Sequence, residues 1–152
     1  MIFRILILFL VALIQGCATT SPYCQVPQVS GEDSATLVIY RPDAAFGMFY
    51  STPMSIDGCR IADLSNNSYQ VFDLPSGNHR VAAEKKALAT GGDGVIEGNF
   101  EAGKTYFLHY SMSPGSPFYL PGGGVGFTTS TTFFLVTKEH AIQAMPKLQG
   151  QF

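Results

Sequence analysis

From residue 34 onward the chain alternates short apolar runs with turn residues, a spacing that predicts an all-β fold, a single β-sandwich of about seven to eight strands. Residues 36–41 (TLVIYR) are β-branched and aromatic, and Pro42 stops them. Residues 53–56 and 59–64 flank Asp57-Gly58, a pair suited to the positive backbone angles of a tight hairpin turn. Residues 68–74 (SYQVFDL) and 78–84 (NHRVAAE) are parted by Pro75-Ser76-Gly77, a second turn. In the later run His79, Val81 and Ala83 share one face, expected to point inward. Residues 95–101, 104–111 (KTYFLHYS) and 131–138 (TTFFLVTK) supply three more strands, the last two apolar enough to be expected at the centre of a sheet. Only the tail reads as helical. Thr137 can cap a short helix over 138–145, with Ala141, Ile142, Met145 and then Leu148 packing onto a sheet and Pro146 near its end.

One stretch breaks the pattern. Residues 113–127 (SPGSPFYLPGGGVGF) are too rich in glycine for a simple strand and too aromatic for a plain linker. Either this is a long hairpin whose aromatics fold back on the sandwich, or Phe118, Tyr119, Leu120 and Phe127 around a flexible PGGGVG form an exposed apolar surface for a partner.

The N-terminus follows a different logic. Arg4 precedes an uncharged apolar run, 5–14 (ILILFLVALI), which is too short for the roughly 20 residues of a membrane-spanning helix and suits a secretory signal. The run ends in Ile14-Gln15-Gly16-Cys17, which resembles a bacterial lipobox. That resemblance implies cleavage between Gly16 and Cys17, diacylglycerol on the Cys17 thiol and often palmitate on its amine. At roughly 0.8 kcal/mol per buried methylene, two chains or more anchor a protein without any spanning helix. Ala18 in place of Asp implies delivery to the outer membrane, facing the periplasm, with the inner membrane as the alternative. Residues 1–16 then form a signal peptide, 17–33 a lipidated tether rich in Thr, Ser, Pro, Gly and Gln, and 34–152 the folded domain.

Composition narrows the chemistry. The chain has 152 residues and a formal net charge of −2, with no basic cluster beyond Lys85-Lys86, so it lacks the footprint of a nucleic-acid binder. If Cys17 carries lipid, Cys24 and Cys59 are left as a pair that either bonds in an oxidising compartment or stays reduced; bonding would pin the tether to the domain. The string 98–105, GNFEAGKT, matches the phosphate-loop pattern G-x-x-x-x-G-K-[ST]. A working phosphate loop opens a helix, whereas TYFLHYS reads as a strand, so the string is expected to be a hairpin turn at Ala102-Gly103 and no nucleotide is expected. His79, His109 and His140 stand singly, without metal-ligand spacing, and no G-x-S-x-G elbow occurs. Neither a metal, a cofactor nor a catalytic residue is expected.

At ATLVIYRP (35–42), SIDGCRIADL (55–64), LPSGNHRV (74–81) and AGKTYFL (102–108) the chain resembles the bacterial lipoproteins grouped as DUF2846, over most of the mature chain including the helix near the end. The Asp-Gly hairpin and the proline–glycine turn are also similar to PEGA-type β-domains. The resemblance implies a small β-sandwich displayed from a membrane, with no activity or catalytic residues to carry across. The function expected is that of a non-catalytic structural or binding module, contacting another envelope protein or a glycan. The alternatives are an envelope hydrolase or a lipid-handling protein.

Overall fold

The computed structural model describes residues 23, 24, 29, 33–84, 94–119, 122, 123 and 125–151. The signal peptide, Gly16, Cys17, Leu120 and most of the expected tether lie outside these residues.

Eight strands follow one another: β1 (Ser34–Arg41), β2 (Thr52–Ile56), β3 (Cys59–Leu64), β4 (Ser68–Pro75), β5 (Gly77–Ala83), β6 (Gly94–Phe100), β7 (Thr105–Tyr119) and β8 (Val125–Val136). They form two four-stranded sheets, ordered β4-β1-β7-β8 and β3-β2-β5-β6, packed as a sandwich. Every pairing is antiparallel except β1 with β7, which runs parallel from Thr36 opposite Thr105 to Tyr40 opposite His109. A short helix, α1 (Lys138–Ala144), and a 3-10 turn (Pro146–Leu148) close the chain. Thr137 caps α1, its hydroxyl accepting from the His140 amide, and Met145 ends it.

The sandwich has two cores. Between the sheets lie Leu37, Ile39, Leu74, Leu108 and Tyr110 from one side and Met54, Ile56, Leu64, Val81 and Ala83 from the other. Behind the first sheet, Val38, Tyr40 and Phe107 meet Ala141, Met145 and Leu148 of the C-terminal segment. This second layer explains why TLVIYR shows little alternation. Leu37 and Ile39 face the opposite sheet, Val38 and Tyr40 face the helical segment, and both faces must be apolar.

Asp57 and Gly58 both take positive φ, 52° and 78°, as the hairpin turn between β2 and β3 requires. The GNFEAGKT string is the end of β6, a turn with Gly103 at φ 71°, and the start of β7; a strand follows it, and Lys104 pairs with Glu101 at 2.7 Å. Two expectations fail. The apolar run of β8 was expected at the centre of a sheet and instead forms its edge. Its hydrophobicity is used differently: Phe133 packs inward against Tyr110, Val136 lies against the second core, and Phe134 and Leu135 stay exposed. Residues 113–127, read as too glycine-rich for a simple strand, are for the most part strand. β7 and β8 run on through them, and a register shift between Pro114 and Pro117 accommodates the two prolines.

The turns at one end are clamped by His79. Its Nδ1 lies 2.6 Å from Asp57 Oδ2 and its Nε2 lies 2.7 Å from the Pro75 carbonyl, so both ring nitrogens face acceptors. Only the imidazolium can donate to both. Burial works against that charge, yet the bonds to Asp57 and Pro75 outweigh it and raise the pKa of His79. The pKa of Asp57 is lowered: burial opposes this, and the bonds from the Arg80 amide and His79 prevail. The raised His79 contributes stability that is full below its unfolded pKa of about 6.5 and lost as pH rises through the folded value. The lowered Asp57 contributes stability present above its unfolded pKa of about 3.9 and lost as pH falls through the folded value. The clamp is therefore strongest between those limits. His79→Gln should lower the melting temperature by a few degrees near pH 5.5, with Asp57 partly exposed to solvent, and by less near pH 8.5. Thermal unfolding of both proteins across that range checks it; a difference that does not change with pH means a neutral imidazole.

Candidate functional site

The parallel β1–β7 pair decides what gathers at each end of the sandwich. β7 is 15 residues long but pairs with β1 only from Thr105 to His109, so its later half runs past the end of β1 as a two-stranded ribbon with β8. The β1–β2 connection, residues 42–51, leaves from the same end, because β1 finishes there.

Arg41 fastens that connection. It is 2% exposed, and its guanidinium donates from Nη1 to the Tyr50 carbonyl at 2.8 Å and from Nη2 to the Gly47 carbonyl at 2.7 Å. It also lies 5.9 Å from the Tyr110 ring, whose hydroxyl meets Thr52 Oγ1 at 3.1 Å. Burial lowers the Arg41 pKa, while Tyr110 pulls it the other way. No carboxylate among the described residues pairs with it, so the buried cation is satisfied by backbone dipoles of the loop it holds. Gly47 has φ 73°, and a Cβ there would stand 2.6 Å from Met112 Sδ. The positive φ favours glycine here, and any side chain would also push on Met112 of β7 and on the Arg41 guanidinium.

With the loop held, Met48, Phe49 and Tyr50 face solvent, Phe49 at 88% exposure. On the ribbon, Phe118 lies across Gly126 of the opposite strand, where a Cβ would come within 2.4 Å of its ring. Phe118 is thus partly covered by its own hairpin and does not fold back on the sandwich; Tyr119 is 84% exposed, and Val125 and Phe127 are more than half exposed. The ribbon therefore brings together Phe118, Tyr119 and Phe127 of the expected contact residues. Sequence reading missed Met48, Phe49 and Tyr50. A signal existed in the absence of charge: no Asp, Glu, Lys or Arg occurs from Ala44 to Ile56 or from Thr105 to Thr137.

The opposite end is built differently. Thr52, at the start of β2, touches Tyr110 near Arg41, so the β2–β3 turn and Cys59 lie at the far end. There Cys24 is disulfide-bonded to Cys59, with 5.6 Å between Cα atoms. Tyr23 bridges Arg60, the Cys24 amide donates to the Arg60 carbonyl at 2.9 Å, and the Tyr23 hydroxyl donates to Asp63 at 3.0 Å. Arg60 stacks over the Tyr23 ring and pairs with Asp63 at 2.7 Å. Part of the expected tether is thus bound along β3.

The histidines occupy separate places. His109 stacks on Tyr40 at 5.2 Å, and burial, with His140 nearby, lowers its pKa. Among the described residues no three His, Cys, Asp or Glu side chains cluster as metal ligands.

Arg41→Met should destabilise the domain by about 1–3 kcal/mol, since the Gly47 and Tyr50 carbonyls lose a charged donor. Chymotryptic cleavage at Phe49 or Tyr50 should appear before global unfolding. Arg41→Lys should recover only part, because one ammonium lacks the fork that serves two carbonyls. Denaturant unfolding and limited proteolysis check both; unchanged protection of the loop in Arg41→Met would remove the guanidinium from this role.

Comparison with curated proteins and with solved structures gave no match. The family model DUF2846, described as a protein of unknown function, matches residues 31–124, which carry β1 through the tip of the hairpin. The match takes in most of the glycine-rich stretch and ends before β8 and α1, although the resemblance was expected to reach the helix near the end. Over more than half of its length, through seven of its eight strands, the chain belongs to the DUF2846 family.

Proposed function

We propose that the protein is an acyl-anchored envelope lipoprotein, held in the outer membrane at Cys17 and facing the periplasm, whose sandwich is a non-catalytic binding module. The observation that carries this reading is the polarity of the domain: the N-terminal segment is fixed at one end through Cys24–Cys59, and an uncharged aromatic surface stands at the other. Cys17 precedes Cys24 by few enough residues that the link spans at most about 25 Å fully extended. A lipid on Cys17 would hold the Cys59 end near the bilayer and leave the Phe49–Tyr119 end free to meet a partner. That end suits another envelope protein, because clustered exposed aromatics without charge gain from desolvation and not from ion pairing.

Two outcomes are expected. Cys17→Ala should lose radiolabelled palmitate and leave the membrane fraction; unchanged labelling defeats the anchor. Cross-linking in native membranes should trap a partner with the unsubstituted chain at both low and high salt, since no surface charge is being screened. The Phe49→Ser/Tyr119→Ser variant should lose that partner with its melting temperature unchanged. Equal capture by the variant defeats the contact surface.

A further inference from the structure

We propose that the C-terminal segment, α1 with its 3-10 turn, is an acid-released strap: protonation of His109 beside it frees the segment from the outer face of β1 and uncovers Val38, Tyr40 and Phe107. The proposal depends neither on the anchor nor on the aromatic end.

Packing holds the strap down. Ala141, Met145 and Leu148 lie against Val38, Tyr40 and Phe107, with Ile142 and Ala144 at the margin. A seven-residue helix has no stability of its own in water, so α1 exists because of that contact. A further tie, from the Lys147 ammonium to the Asn67 carbonyl, is exposed to solvent. The closed state also carries a cost. The Tyr40 hydroxyl is buried without a hydrogen-bond partner among the described residues, and water reaches it once the strap lifts.

His109 stands where this cover ends. It is two residues along β7 from Phe107, hence on the same face, and half-buried; its ring stacks on Tyr40 at 5.2 Å and tilts against Phe134 at 5.9 Å. The contrast with His79 is plain. Both nitrogens of His79 face acceptors, whereas His109 has two rings and a second histidine for neighbours and no acceptor among the described residues. An imidazolium there is desolvated without a hydrogen bond in return. The rings of Tyr40 and Phe134 attract a cation whether or not the strap is docked, so they do not oppose its release.

The surrounding charges act in the same direction. From α1 comes His140, whose charge bears on His109; Lys138 and Glu139 precede it, and the Glu139 carboxylate is engaged by its own amide and the Thr137 hydroxyl. Lys147 follows in the 3-10 turn. β1, β7 and β8 present no charged side chain to this face. On β4, Tyr69 lies at the margin of the core, and Asp73 is bound to Thr36 toward the other end of β1. The strap thus carries two lysines against one glutamate, and acid adds His140 to the excess while His109 becomes positive beside it. Burial and His140 hold the His109 pKa low. Its contribution to docking is therefore full above the ordinary value of about 6.5 and is lost as pH falls from there through the docked value.

Hydrogen exchange on the full chain in detergent, with labelling times scaled for the chemical effect of pH, reads the strap. The amides of Ala141, Met145 and Leu148 donate to the Thr137, Ala141 and Met145 carbonyls. Between about pH 7.5 and about pH 5 they should lose about threefold or more of their protection, while the β1 amides keep theirs. His109→Gln should keep the strap protected at the lower pH. His109→Phe, which leaves a ring on Tyr40 and takes no proton, should do the same, so the readout survives if one variant fails to fold. His140→Gln, at an exposed position, should recover part of the protection. Equal protection of the strap at both pH values, or an undiminished loss in a folded His109 variant, overturns the proposal. So does a loss shared by the β1 amides, which means that the sandwich as a whole unfolds in acid.

Discussion

β1 is buried on both faces, and most of the architecture follows from covering it twice. Its inner side chains, Leu37 and Ile39, require a second sheet, and its outer ones, Val38 and Tyr40, require the C-terminal helical segment. A strand with no wet face also needs a partner on each side, and β4 and β7 supply them, one antiparallel and one parallel. The parallel partner is the consequential one. It directs β7 past the end of β1, so the ribbon and the Arg41 loop share one end while the disulfide takes the other.

Arg41 sits where this doubly buried strand stops. A cation with little contact with water is costly unless its hydrogen bonds are met, and here two loop carbonyls meet them. The cost is turned to use, because a loop with few apolar anchors of its own acquires a fixed path. Three large apolar side chains can then stand in solvent on an ordered backbone, a different situation from the same residues on a floppy loop.

Local chemistry was legible in the sequence and long-range chemistry was not. Asp57-Gly58 announces its turn because both positions need φ above zero, and Thr137 announces its helix because a hydroxyl there satisfies an amide of the first turn. The apolar run at 131–136 could not announce an edge. What covers Phe133 and Val136 is contributed by distant residues, and a one-dimensional pattern does not separate burial by a neighbouring strand from burial by a facing layer. Pro114, Pro117 and the glycines likewise read as loop, since nothing local shows that a register shift would absorb the prolines or that Phe118 would lie across Gly126. Of the aromatic end, the hairpin half was visible through its composition. The Met48–Tyr50 half was hidden because it depends on where one arginine points.

The disulfide also sets a path for mechanical load. Tension on the chain ahead of Cys24 passes through sulfur into Cys59 and so into the first residue of β3, and the backbone from Cys24 to Ser34 is bypassed. Tyr23 already lies parallel to β3 through its bridge to Arg60, so that force enters from alongside a strand held by its ladder to β2. Without the bond, the same tension would arrive at Ser34 and strip β1, whose loss opens both cores at once.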